Sequence, residues 1–107
     1  MRPPILIVDD DPDIRESLTD MLGHEGYLVH SAASGTDALQ QAKQTRYDAA
    51  LLDIQLPDLN GLSVLKVLME LDASLPVIIL TGNVTPENTI GSLAKGAFAY
   101  LTKPYNS

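Results

Sequence analysis

With 107 residues, 45% of them apolar, the chain suffices for one small domain with its own core, and it has no internal repeat or low-complexity tract. Fourteen acidic residues against seven scattered basic ones give a formal charge of −7, which argues against direct nucleic-acid contact, since a duplex-binding surface needs a basic stripe. The absence of cysteine excludes a disulfide framework and a thiolate metal site, and no apolar segment approaches the roughly 20 residues needed to span a bilayer.

The first element is the apolar run Ile5-Leu6-Ile7-Val8, which ends at Asp9-Asp10. Met1-Arg2-Pro3-Pro4 leads into it, and the run is too short for a signal peptide, so a cytoplasmic location without a membrane partner is expected. Continuous rather than alternating apolar residues point to a strand buried on both faces of a parallel sheet. A helix is predicted over 12–25, with Asp11 as N-cap, Pro12 at the first position and Gly23 or Gly26 ending it. Its apolar face carries Ile14, Leu18, Met21 and Leu22. Met21, like Met69 later in the chain, is expected in the core.

A second strand is expected near Tyr27-Leu28-Val29-His30, and a second helix over 35–45, with Ser34 and Asp37 at capping-box spacing. His24 and His30 read as surface or strand-end residues. Ala49-Ala50-Leu51-Leu52 is a third strand, ending at Asp53, and a well-buried helix is predicted over 61–71 from Leu62, Leu65, Leu68 and Met69. Between them Asp58, and Asn60 with Gly61, read as turn residues. The fourth strand, Val77-Ile78-Ile79-Leu80, ends at Thr81. The stretch 86–95 is a fourth helix poor in helix formers, expected to be the most mobile. A fifth strand over about 98–102 leads to Lys103, and only Pro104 to Ser107 follow, so no fifth helix is expected.

Strand and helix alternate throughout, which implies right-handed crossovers and an α/β parallel sheet with helices on both faces. Ligands bind such sheets outside the carboxyl ends of the strands. Asp9, Asp10, Asp53, Thr81 and Lys103 all fall there. Two carboxylates about 4–5 Å apart repel by roughly 3–4 kcal/mol at an effective dielectric of about 20, so the acids need neutralising. A hard divalent cation with oxygen ligands, Mg²⁺ above all, fits a site without Cys or an apparent His. A cation, an ammonium and a hydroxyl around a carboxylate can stabilise a phosphoryl group in transfer, with Asp53 as nucleophile.

Four sequence pieces, in order and at strand ends, carry a family resemblance: Val8-Asp9-Asp10, the stretch from Leu52-Asp53 to Asn60-Gly61, Leu80-Thr81-Gly82, and Tyr100-Leu101-Thr102-Lys103-Pro104. Over residues 1–107 the chain resembles the receiver domain of two-component response regulators. The resemblance implies a flavodoxin-like, doubly wound five-stranded sheet of order 2-1-3-4-5. It implies that Asp53 accepts a phosphoryl group from a histidine kinase or a histidine phosphotransfer protein. Asp10 and Asp53 would bind Mg²⁺ directly, Asp9 mostly through water, and the Gln55 carbonyl would complete the metal site. Thr81 would hydrogen-bond the phosphoryl group, Lys103 would pair with it across a cis Lys103-Pro104 peptide, and Tyr100 would swing inward. The face of the fourth helix and fifth strand would then change for partners to read. Gln55 and Asn83 would flank the water that hydrolyses the acyl phosphate.

The family normally closes with a fifth helix. Its absence leads us to expect a piece of a longer protein, with an output domain, or a face covered by another subunit in a homodimer. Two competing readings are a receiver-like binding module that works without phosphorylation and a haloacid-dehalogenase-type phosphatase. The second rests on Asp9 and Asp11 alone, and the module reading would need a degenerate site. A flavin mononucleotide site is disfavoured, because carboxylates after the first strand would repel its phosphate.

Overall fold

The computed structural model describes residues 2–82, 91 and 96–102. Five parallel strands, β1 (Ile5–Val8), β2 (Val29–Ala32), β3 (Ala49–Leu52), β4 (Val77–Thr81) and β5 (Ala99–Thr102), form one sheet of order β2-β1-β3-β4-β5. Among the described residues three helices join the first four strands: α1 (Pro12–His24), α2 (Gly35–Gln44) and α3 (Gly61–Leu71). The predicted sheet order is thus the observed one. The helix expected over 86–95 falls outside the described residues except for Gly91, which is helical.

Each helix begins where its capping chemistry dictates. Asp11 accepts a hydrogen bond from the Asp13 amide at 2.9 Å, and Pro12 takes the first turn, where its missing N–H costs nothing. The Ser34 hydroxyl accepts from the Asp37 amide at 3.1 Å. Asn60 caps α3 through the Leu62 amide at 2.8 Å, so this predicted turn residue is also a cap. Helix α1 runs through Gly23 and stops before Gly26, whose φ of 90° lies in the left-handed region that glycine tolerates.

Strand alternation divides the apolar residues between two layers. Leu6, Val8, Ala50, Leu52, Val77 and Ile79 pack with Ala38 of α2 and with Val64, Leu65 and Leu68 of α3 in one buried cluster. Ile5 and Ile7 point to the opposite face, where α1 lies over β1 and β2 and buries Leu18. On that face Ile78 and Leu80 are only half-buried and Leu101 is exposed.

Two expectations are corrected. Met21 is 57% exposed rather than in the core. It sits at the margin of the α1 stripe, roughly 60° round the axis from Leu18, beyond the reach of the strands that cover that residue. Met69, in contrast, packs against the core. Strand β2 begins two residues later than predicted, because its ladder with β1 runs from Ile5↔Val29 to Val8↔Ala32. Among the described residues no helix is long and apolar enough to cross a membrane.

Candidate functional site

The register of β1 on β3 creates the site. Val8 lies opposite Leu52, and the Asp53 amide donates to the Val8 carbonyl at 2.9 Å, so the residues after the two strands emerge side by side. One carboxylate oxygen from each of Asp9, Asp10 and Asp53 falls within 4.8 Å of the other two. Asp9 and Asp53 are 2% and 4% exposed, whereas Asp10 faces solvent. Buried carboxylates need partners or a cation. All donors here are oxygens, which fits a hard divalent ion; His30 is committed to the Tyr47 hydroxyl at 2.9 Å, away from this edge.

Backbone amides orient the two buried acids. Asp9 Oδ1 accepts from the Asp11 amide at 2.9 Å, and Asp53 Oδ1 accepts from the Gln55 amide at 3.0 Å. Asp11 itself caps α1, so its spacing from Asp9 serves the helix rather than a dehalogenase-like pair. Thr81, 1% exposed, ends β4 beside β3. Tyr100 lies on β5 opposite Ile79 and packs, half-buried, against the core. Lys103, Asn83 and the Lys103-Pro104 peptide lie outside the described residues.

Asp58 and Gly61, read from the sequence as turn residues, and Arg15, one of the scattered basic residues, also shape this edge. The Arg15 guanidinium donates to the Asp9 carbonyl at 2.7 Å. Gly61 donates its amide to the Ile54 carbonyl at 2.8 Å, and a Cβ there would lie 2.4 Å from Ile54 Cα and 2.6 Å from the Asp53 carbonyl oxygen. Only glycine lets α3 start so close behind Asp53. Asp58 accepts from the amides of Gly35 and Thr36 at 2.8 and 2.9 Å and from the Thr36 hydroxyl. Those bonds, the Thr36 hydroxyl foremost, pull its carboxyl down to about 2. The signals available were the Asn60-Gly61 pair and a carboxylate three residues past Gln55, neither of which names its distant partner.

A cleft of about 410 Å³ opens at the opposite end of the sheet, lined by Lys43, Arg46, Tyr47, Leu68, Leu71 and Leu75 among others. No member of the carboxylate cluster lines it. The strand-end acids lie instead at the edge where sheets of this kind bind ligands.

A five-stranded sheet of this order with acids at the ends of β1 and β3 defines a receiver-type fold and site. Residues 5–107 match the response regulator receiver domain family, and the chain belongs to it. The chain is 40% identical over 103 residues to the transcriptional regulatory protein PrrA of Mycobacterium leprae, covering 96% of this chain and 44% of that protein. It is 38% identical over 105 residues to the DNA-binding response regulator MtrA of Mycolicibacterium smegmatis, covering 98% and 46%. The chain therefore spans less than half the length of these relatives. Among solved structures, a CheY-like receiver domain protein from Methanospirillum hungatei superposes with a TM-score of 0.95 at 39% identity, over 99% of this chain and 85% of that one. A response regulator from Burkholderia pseudomallei, solved with a phosphorylated aspartic acid and a calcium ion, gives 0.91 at 28% identity, over 97% and 61%. Receiver domains are signalling domains rather than metabolic enzymes, they interact with histidine kinases, and they bind Mg²⁺ at an acidic pocket.

Proposed function

We propose that this receiver domain, spanning residues 1–107, is a phosphoacceptor switch in which Asp53 takes a phosphoryl group from the phosphohistidine of a histidine kinase or histidine phosphotransfer protein. The observation that carries the reading is the convergence of Asp9, Asp10 and Asp53 within 4.8 Å, beside the buried Thr81. A carboxylate oxygen of Asp53 attacks phosphorus, the P–N bond breaks, and its electron pair returns to the imidazole nitrogen as the acyl phosphate forms. The Gln55 amide, by holding Oδ1, sets the plane of the carboxylate and presents the second oxygen to phosphorus.

Asp10 and Asp53 would hold Mg²⁺, with Asp9 acting mostly through water and the Gln55 carbonyl as a further donor. Bound there, the ion would neutralise charge on the phosphoryl oxygens. Thr81 hydrogen-bonds the transferred group and Lys103 pairs with it. Tyr100, one strand away, follows Thr81 inward, and the surface of 86–95 and β5 changes for an output domain or a second copy to read. The phosphorylated aspartate in the Burkholderia relative supports the assignment of the acceptor, and the names PrrA and MtrA support a DNA-binding output outside this chain.

Acetyl phosphate with Mg²⁺, followed by intact-mass measurement, tests the proposal. A gain of one phosphoryl group is expected in the wild-type chain, with none in Asp53→Asn and none after chelation of the metal. A gain that persists in Asp53→Asn would overturn it.

A further inference from the structure

The loop joining β3 to α3 is tied down at its start, its end and its tip. At its start the Gln55 amide fixes Asp53 Oδ1 at 3.0 Å. At its end Gln55 forms an antiparallel bridge with Asn60, and the Gly61 amide reaches the Ile54 carbonyl at 2.8 Å. At its tip Asp58 grips the first turn of α2, a segment more than 20 residues earlier in the chain, through two amides and a hydroxyl. Gly35 makes that approach possible, because a Cβ there would sit 2.9 Å from both Leu59 Cβ and Val64 Cγ2. The loop that orients the phosphoacceptor is thus fastened to a helix that contributes no residue to the acid cluster.

We propose that Asp58 is a positioning residue: by chelating the start of α2 it holds the β3–α3 loop so that the Gln55 main chain stays against Asp53, and this sets the affinity of the cluster for a divalent cation. The inference rests on the cation-binding reading given above. A carboxylate at a helix N-terminus also stabilises that helix simply as a cap. The two roles separate experimentally. A cap alone changes the melting temperature, whereas a positioning residue also changes the protection of the Gln55 amide and the uptake of metal.

Removing Asp58 also removes an exposed negative charge, which weakens attraction for a cation directly, though screened over about 8 Å at physiological ionic strength. Thr36→Val separates these effects, since it deletes one bond of the chelate and leaves every charge in place.

The test compares the wild-type chain with Asp58→Ala, Asp58→Asn and Thr36→Val by calorimetric titration with Mg²⁺, by hydrogen exchange at the Gln55 amide and by thermal melting. Asp58→Ala is expected to weaken Mg²⁺ binding about fivefold, below the roughly tenfold or greater loss seen when a group bonded directly to a metal ligand is removed. Asp58→Asn, which keeps one acceptor oxygen, should fall between it and wild type. Thr36→Val should weaken binding about twofold, and Gln55 exchange should be faster in all three variants. Folded variants whose Mg²⁺ affinity and Gln55 exchange match wild type, whatever their melting temperatures, would overturn the inference. So would losses confined to the two charge-removing variants with Thr36→Val unchanged. Should Asp58→Ala not fold, the milder pair decides. A wild-type chain that bound no Mg²⁺ would overturn the cation-binding reading and this inference with it.

Discussion

Replacing Gly61 with alanine forces a methyl group into the backbone behind Asp53. The new Cβ would lie 2.4 Å from Ile54 Cα and 2.6 Å from the carbonyl oxygens of Asp53 and Ile54. None of these atoms can rotate away, so α3 and the loop must separate, and the 2.8 Å bond from the Gly61 amide to Ile54 is lost with them. Overpacking of this kind costs about 1–3 kcal/mol, and the hydrogen bond about 1 kcal/mol more. Alanine's better helix propensity returns at most about 1 kcal/mol. A net loss of about 1–3 kcal/mol lowers the melting temperature of a domain this size by about 5–20 °C. Circular dichroism melts, repeated with urea, would measure it. Gly23→Ala is the control: it lies inside α1, nothing stands within 4 Å of its Cβ, and it should stabilise by about 0.5–1 kcal/mol. A Gly61→Ala protein melting within about 2 °C of wild type would refute the reasoning.

Three further outcomes follow from the geometry. In chelator, Asp10→Asn should melt higher than wild type, because it relieves repulsion among oxygens within 4.8 Å; solvent exposure of Asp10 limits the gain to about 1 kcal/mol, and added Mg²⁺ should raise the wild type more than the variant. Asp58 has its carboxyl depressed from 3.8 to about 2, so its stabilisation is complete above the higher value and fades as pH falls through the lower. The melting-temperature gap between wild type and Asp58→Asn should accordingly be constant near neutrality and close between about pH 4 and pH 2. Tyr47→Phe strips a hydroxyl bonded to His30 at 2.9 Å and Gln41 at 3.3 Å; equilibrium unfolding should show a loss of about 1 kcal/mol, with Mg²⁺ affinity unaltered.

The parts of this molecule legible in its sequence are those in which one local pattern decides the outcome. The continuous apolar runs at 5–8, 49–52 and 77–80 became central strands, and 61–71 is the helix that its leucine spacing describes. Asp9, Asp10 and Asp53 could be brought together because position after a strand is a local property that topology converts into proximity. Strand β2 was misjudged by two residues because partner pairing, not side-chain preference, sets where an edge strand begins. Met21 shows the matching failure for helices: the apolar stripe of α1 is wider than the surface it covers. Asp58 and Arg15 were unreadable for a different reason. Their partners, the start of α2 and the Asp9 carbonyl, are specified by packing of whole elements and leave no mark on neighbouring residues.

Because Asp9 and Asp53 both follow one rung of the ladder, Val8 opposite Leu52, point changes and length changes have opposite prospects at the two ends of this molecule. Adding or deleting one residue within 5–8 or 49–52 would turn an acid to the far side of the sheet, since side chains alternate along a strand. The turn between α3 and β4, where Ala73 and Ser74 stand exposed, can lengthen at little entropic cost. Diversification should therefore enter by insertion at the amino-terminal rim and only by substitution at the carboxyl-terminal one.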